Sequence, residues 1–314
     1  MKLGELRTLY SKGEISKAAF IDEMHNLHML LFDYATFLKE SDISKITIED
    51  DQLIITSRKT NYNKGGISFY CDIVDKRIAP IETFNFGTYE SVDSDMLYRI
   101  IEKDYTVFDI GGNIGWYANH IASLLEDGKI YAFEPIPETH QKLLNNVKLN
   151  GYKNIVVENF AFSDKQDKIT FFYSPAIPGA ASSKNITENT NMQQLECFTD
   201  TVDNYTSTNN IKKIDFIKCD VEGAEFMVFK GAKNTIAAHH PIVFSEMLRK
   251  WSAKFNYHPN DIINFFRELG YNCYIANDKG LVLFSEVDEN TTQTNFFFLH
   301  SVTHKEKITQ ILSH

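Results

Sequence analysis

An α/β fold, a mostly parallel sheet with helices on both faces, is what this 314-residue sequence predicts from residue 105 onward, and two observations predict it. Short apolar runs alternate with helical patterns, which is how strands buried on both faces and joined by crossover helices read. The first of those runs also ends in a glycine-rich turn leading straight into a helix, and open α/β sheets bind ligands at such strand ends.

Ahead of this core, residues 15–38 carry Leu27, Leu30, Leu31, Tyr34, Ala35 and Leu38 at offsets 0, 3, 4, 7, 8 and 11, which predicts one amphipathic helix. Its expected role is packing on the main domain, with a homodimer face as the alternative. Alternating runs at 45–49, 52–56 and 67–72, separated by Asp50-Asp51 and Lys64-Gly65-Gly66, predict a small antiparallel sheet. Residues 1–85 therefore read as an α+β appendage without the spacing of a catalytic or metal motif, and 86–314 as the main domain. There, strands are expected at 106–110, 129–133, 155–158, 215–219, 241–245 and 272–275, with 295–300 returning as an edge strand. Helices are expected at 115–125, at 137–150 closed by Gly151, at 225–239, and at 259–269 closed by Gly270. Between residues 171 and 194, small residues and two prolines with neither period predict a mobile loop or lid.

Composition excludes several classes. With 43% hydrophobic and 24% charged residues the chain is that of a folded globular protein, not a disordered or disulfide-stapled one. A net charge of −10 repels phosphate backbones and anionic bilayers, so nucleic acid is not an expected partner. The first twenty residues mix charges with apolar residues and predict no export signal, and no run approaches the ~20 apolar residues of a membrane span. Cys71, Cys197, Cys219 and Cys273 stand far apart with no CxxC pair, as expected of core fillers in a reducing, cytoplasmic setting. The three glycosylation sequons, at Asn185, Asn204 and Asn290, are expected to be incidental.

Three clusters carry chemistry. Val107-Phe108-Asp109-Ile110-Gly111-Gly112-Asn113-Ile114-Gly115-Trp116 is a strand, a glycine-rich turn and a helix start, where the backbone can approach a ligand closely. A dinucleotide fingerprint needs glycine at 113 and glycine or alanine at 116, and a Walker loop needs Lys-Ser/Thr after Gly115; Asn113, Trp116 and Tyr117 satisfy neither. A carboxylate, Asp109, at the strand tip suits a cationic ligand without phosphates, such as S-adenosylmethionine. Next, Tyr131-Ala132-Phe133-Glu134-Pro135 ends the second strand in an acid able to accept hydrogen bonds from both ribose hydroxyls, although nicotinamide enzymes place an acid similarly. Finally, Asp220 and Glu222 follow the strand at 215–219 two residues apart; in an extended segment they share a face and flank the sulfonium or the acceptor hydroxyl, while Glu225 starts the next helix.

On these residues the chain resembles the FkbM family of S-adenosylmethionine-dependent methyltransferases. The likeness covers roughly residues 89–275: Tyr89-Glu90, the DIGGNIG turn, FEPIPE, Asn159-Phe160-Ala161-Phe162-Ser163-Asp164, Thr199-Asp200-Thr201-Val202-Asp203, IDFIKCDVEGAEFMVFKGA and Pro241-Ile242-Val243-Phe244-Ser245-Glu246. Gly112 and Val202 depart mildly from the alanine and leucine more frequent in the family. The resemblance implies a class I, Rossmann-like methyltransferase fold, a seven-stranded mixed sheet with its last strand antiparallel, and usually transfer to oxygen, on sugar hydroxyls of glycans or on polyketide-like metabolites. It also implies a cofactor set: Glu90; Asp109, Gly111, Asn113 and Gly115 at the methionine end; Glu134 at the ribose; Phe160 and Ala161 beside adenine; and Asp220 at the sulfonium.

A weakly acidic hydroxyl needs a base, and the candidates are Glu222 first, then Glu246 and His258. Catalysis without a metal is expected. Residues Trp251 to Tyr257 are expected mainly to pack, with a sugar-stacking wall as their sharper role. The alternatives to an O-methyltransferase acting on a glycan or small molecule are a non-sugar acceptor, a cofactor-binding scaffold without turnover and, third, an oxidoreductase.

Overall fold

Two antiparallel helices, α1 (Leu3–Ser11) and α2 (Lys17–Phe37), open the chain in a computed structural model that describes residues 2–72, 74–76, 78–174, 177–184 and 192–312, with backbone alone at 174 and 177–181. The sequon at Asn185 and the prolyl residue at 175 lie outside the described residues. Ser16 caps α2 by accepting the Ala19 N–H, and Tyr10 stacks on Phe20 at 4.6 Å to join the helices. Packing of α2 beyond α1 is confined to its C-terminal end, where Tyr34 meets Phe84 at 5.9 Å and Phe37 packs on the cluster of Ile43, Ile55 and Ile114; none of its residues is buried, and Leu30, Leu31 and Phe32 are 57%, 61% and 63% exposed. Four successive apolar residues, Met29 to Phe32, point to most sides of a helix, so no single stripe can take them to a core.

The small antiparallel sheet forms as expected from β1 (Ile43–Glu49), β2 (Gln52–Ser57) and β3 (Ser68–Tyr70). Its inner face, Ile43, Ile55 and Phe69, joins Ile114 of the glycine-rich turn in one apolar cluster. Helices α3 (Ala79–Phe86) and α4 (Ser91–Ile100) then lead to the core.

In the core, β4 (Thr106–Ile110), α5 (Trp116–Leu124), β5 (Lys129–Phe133), α6 (Pro137–Asn150) and β6 (Ile155–Glu158) form one parallel half. A four-stranded sheet follows, in the order β7 (Ala161–Phe162), β10 (Gln193–Asp200), β8 (Asp167–Ser174), β9 (Ile177–Ser182). This corrects the expected loop between 171 and 194 where it is described: 171–174, 177–182 and 193–194 are strand, while 175–176 and 185–191 lie outside the described residues. Cross-strand partners supplied by β8, itself paired with β10, stabilise as β9 a small-residue segment whose own pattern carries no signal.

The other half contains α7 (Val202–Thr208), β11 (Phe216–Cys219), α8 (Glu225–Lys230), α9 (Lys233–His239), β12 (Ile242–Glu246), α10 (Arg249–Ser252), α11 (Pro259–Glu268), β13 (Tyr271–Asn277), β14 (Gly280–Phe284), β15 (Asn295–His300) and α12 (Lys305–Ile311). The main sheet runs β14-β13-β15-β12-β11-β4-β5-β6, with β15 antiparallel to both neighbours and β14 antiparallel to β13. Phe108 and Ile110 of β4 face a core shared with α7, α8 and α11, while Val107 faces one shared with α4, α5 and α6.

Three expectations are corrected here. The sheet has eight strands rather than seven, because Leu281-Val282-Leu283-Phe284 folds back on β13 as a hairpin. The strand at 295–300 is interior rather than an edge, and Phe296, Phe297, Phe298 and Leu299 are each 0% exposed, so both of its faces are covered. The helix expected over 225–239 is broken at Gly231, where Asp203 accepts the N–H groups of Asn234 and Thr235 and restarts it as α9. Among the described residues no helix is long and apolar enough to cross a membrane.

Candidate functional site

The strand tips of β4, β5 and β11 converge under the glycine-rich turn. Gly111 adopts φ +77°, and a Cβ there would fall 1.8 Å from the Asp220 carbonyl oxygen, so only glycine allows the turn to cross β11. The Gly111 and Gly112 N–H groups donate to the Phe133 carbonyl at 3.0 and 2.9 Å, fastening the turn to β5. Asn113 takes φ +47° and donates its backbone N–H to Glu134 Oε2 at 3.0 Å, while Ile136 N–H donates to Oε1 at 3.0 Å. Glu134 is thus oriented by two backbone donors at the mouth of the turn. Burial pushes its carboxyl up to about 7, against the pull of those two hydrogen bonds.

Sequence reasoning missed Lys218, which lies at the centre of this floor. It is 3% exposed on β11, donates to the Gly111 carbonyl at 2.9 Å, and stands 3.3 Å from Asp220 Oδ2 and 3.5 Å from Asp109 Oδ1. Burial opposes its charge, but Asp220 and then Asp109 outweigh it and hold the ammonium above its ordinary range. A lysine inside the run Phe216-Ile217-Lys218-Cys219 was the available signal, since a fully buried strand accepts a charge only when it is paired. Asp109 is 0% exposed beside it, and burial raises its carboxyl while Lys218 lowers it. Asp109 takes the Lys218 ammonium and the Ala118 backbone N–H and lies beneath the turn, whereas Oδ1 of Asn113 is buried and finds no hydrogen-bond partner among the described residues.

One cavity gathers the expected residues Glu90, Gly111, Asn113, Glu134, Phe160, Ala161, Asp220, Glu222 and Glu246. Gly115, at φ +81°, closes the turn behind it as the residue before α5. Glu90 sits at the rim with its carboxyl turned inward to accept the Tyr117 hydroxyl; loss of water around that carboxyl raises it, with Tyr117 opposing. Asn159 holds the Glu134-Pro135 turn through its amide at 2.8 and 3.1 Å. The appendage contributes Asp75, Ile78 and Glu82 to the cavity wall, which no motif in residues 1–85 had indicated.

The acidic loop departs from the extended geometry expected of it. Glu222 is left-handed at φ +56°, so the shared-face argument fails, and both acids reach the cavity through a tight turn instead. Glu225 Oε1 accepts the Val221 and Gly223 N–H groups at 3.0 and 3.1 Å, and Tyr257 donates to its Oε2 at 3.1 Å. Glu225 therefore shapes the loop, and it starts α8 as expected. Burial pushes its carboxyl up to about 7. Ser182 of β9 donates to the Glu222 carbonyl at 2.9 Å, and Ser183 lines the cavity, which brings the β-hairpin against the site.

Glu246, at the end of β12, is raised well above the ordinary carboxylate range by burial first, then by repulsion from Asp220, Glu222, Glu225 and Glu90. His258, the third candidate base, is corrected: it is exposed, and its ring caps α11 by accepting the Asn260 N–H at 3.2 Å. Trp251 and Phe255 do line the cavity, whereas Tyr257 is turned to Glu225. Among the described residues no group of three or more His, Cys, Asp or Glu side chains could hold a metal ion.

Comparison with known proteins agrees with this geometry in kind. The sequence model of the methyltransferase FkbM domain matches residues 109–273. The hexuronic acid methyltransferase AglP of Haloferax volcanii is 28% identical over 141 residues, 45% of this chain and 55% of its own length. Methyltransferase 1 of Beauveria bassiana is 25% identical over 145 residues, 41% of this chain and 58% of its own length. The matched part of the chain thus spans little more than half of either relative. A crystal structure of methyltransferase FkbM from Methylobacillus flagellatus KT aligns over 66% of this chain and 47% of its own, with 15% identity and a TM-score of 0.43.

Proposed function

Since this chain belongs to the FkbM methyltransferase family, we propose that it transfers the methyl group of S-adenosylmethionine to a hydroxyl oxygen of a sugar, glycan or secondary metabolite. The observation that carries the reading is the buried Oδ1 of Asn113, without a partner among the described residues, beside the oriented carboxylate of Glu134 on one cavity wall. A buried oxygen without a donor costs free energy that a ligand rich in donors returns. An ammonium and a ribose diol are such donors, and a diphosphate is not.

The residues present fit this donor. Asn113 and the Gly111–Gly115 turn would hold its methionine end, Glu134 its ribose, Phe160 and Ala161 its adenine, with Glu90 and Asp220 as acids on the same wall. Asp109 stands behind the turn, outside the cavity lining and paired with Lys218. When bound, the donor supplies an electrophilic methyl group on a positively charged sulfur. The chain's own work is alignment and proton removal. Phe133, Phe160 and Phe171 give the cavity apolar walls that limit water, and a positioned acceptor oxygen gains most of its rate from orientation. Glu246 is the proposed base. The sequence ranks Glu222 first, but Glu246 stands on the cavity wall at the end of β12, and burial with the surrounding acids raises its affinity for a proton.

Calorimetric titration with S-adenosylhomocysteine and with NAD(H) tests the donor, and transfer of labelled methyl to a panel of hydroxylated glycans and metabolites tests the reaction. Binding of the first ligand and label on oxygen are expected. Tight NAD(H) binding without any affinity for S-adenosylhomocysteine would reverse the reading. For the base, Glu246→Gln is expected to lower kcat at least about a hundredfold with donor affinity retained; if Glu222→Gln does so instead, the roles are exchanged.

A further inference from the structure

The appendage is tied to the donor turn through three buried or half-buried asparagines. Asn146 of α6, 1% exposed, donates from Nδ2 to the Ile114 carbonyl at 2.9 Å and accepts the Tyr70 N–H of β3 on Oδ1 at 3.1 Å. One turn of helix later, Asn150 takes both backbone groups of Ser68, accepting its N–H at 2.8 Å and donating to its carbonyl at 2.8 Å. Asn150 also donates to Asn119 Oδ1 at 3.2 Å, and Asn119 in turn donates to the Gly115 carbonyl at 2.8 Å. Between the two polar links, Phe69 is 0% exposed and stacks on Trp116, the first residue of α5, at 4.6 Å. Every residue of β3 therefore reaches the end of the turn, directly or through one or two asparagines.

The geometry points to a positioning role: we propose that β3 acts, through Asn146, Asn150 and Asn119, as a brace that holds the donor-binding turn in its binding conformation. The inference rests on the donor reading above. Its physical basis is that the turn contains Gly111, Asn113 and Gly115 at positive φ. A left-handed non-glycine residue costs free energy and persists only where its surroundings over-determine it. The Ile114 and Gly115 carbonyls flank the next step of that backbone, so fixing them limits the conformations the turn can relax into. A turn that spends less time in its competent form binds the donor more weakly by that fraction. The appendage, which presents no chemistry of its own in sequence, thereby becomes part of the site.

The link can be cut at either end in the full-length chain. Asn146→Asp keeps an oxygen for the Tyr70 N–H but removes the donor to Ile114. Tyr70→Pro removes that N–H, which faces away from β2; the neighbouring Cys71 N–H makes the ladder bond to Leu53, so the three-stranded sheet keeps its pairing. Each substitution is expected to weaken S-adenosylhomocysteine binding about tenfold, the value of one hydrogen bond of ordinary strength, and to raise the donor KM with kcat within about twofold. The double variant should lose little more than either alone, because both cut one link. A lowered melting temperature with unchanged donor affinity would reduce β3 to packing and overturn the proposal. Should Tyr70→Pro fail to fold, Asn150→Leu is read in the same way. Wild-type protein that binds neither S-adenosylhomocysteine nor S-adenosylmethionine would overturn the donor reading and this one with it; wild type that binds, with variants that bind equally well, would overturn the brace alone.

Discussion

Lys218 is the residue on which the floor of the site depends most. Removing it leaves Asp109, fully buried, without its counter-charge, and breaking a buried pair costs about 3–5 kcal/mol. Lys218→Met is expected to lose that much in urea unfolding, and Asp109→Asn added to it should restore part of the loss by removing the stranded charge. Glu134 makes a different prediction. Its carboxyl, pushed up to about 7 by burial, must ionise to accept ribose hydroxyls well, so donor affinity should rise with pH up to about 7 and level off above. Glu134→Gln should flatten that profile and weaken binding about tenfold or more, as measured by titration across pH. The two adjacent glycines separate cleanly. Gly111→Ala drives a Cβ into the Asp220 backbone, whereas a Cβ on Gly112 meets only the tip of the Leu143 side chain at 3.0 Å and φ there is ordinary. Donor binding should therefore be lost in the first variant and kept in the second.

At the scale of elements, what the sequence revealed and what it hid follow one rule. Strands and turns set by their own residues were legible: β4 with its glycine turn, β5 ending in Glu134, and α6 stopped by Gly151 stand where the pattern puts them. Elements decided by partners were not. The β9 segment carries no period of its own, and its partner β8 is itself paired with β10 from twenty or more residues downstream in the chain. The break between α8 and α9 comes from the approach of Ser163, whose carbonyl would lie 2.0 Å from a Cβ on Gly231. Gly231→Ala is thus expected to destabilise the fold although it raises helix propensity, and comparison of melting temperatures checks it. Within the site the same rule holds: the acids and the turn were readable as motifs, but Lys218 was passed over as one letter in an apolar run, and Asn146 and Asn150 as ordinary polar residues of an exposed-looking helix.

For the whole molecule, buried titratable groups set how stability varies with pH. Glu225 is neutral in the fold up to about 7, whereas the unfolded carboxyl releases its proton at its ordinary value of 4.5. Between those values the folded state binds the extra proton, so this group's contribution falls as pH rises through the window. His120, buried and held neutral down to about 4, acts oppositely, costing stability as pH falls from 6.5. Glu225→Gln removes the first effect alone, and its melting temperature relative to wild type is expected to climb between pH 5 and 7.5. The placement of β15 has a consequence for biosynthesis. That strand leaves the ribosome after both β12 and β13, yet it fills the gap between them. Until it emerges, β12 and β13 each present an open, apolar flank to solvent or to a chaperone, and a nonsense codon just after Thr294 would deprive the nascent polypeptide of an inner stave.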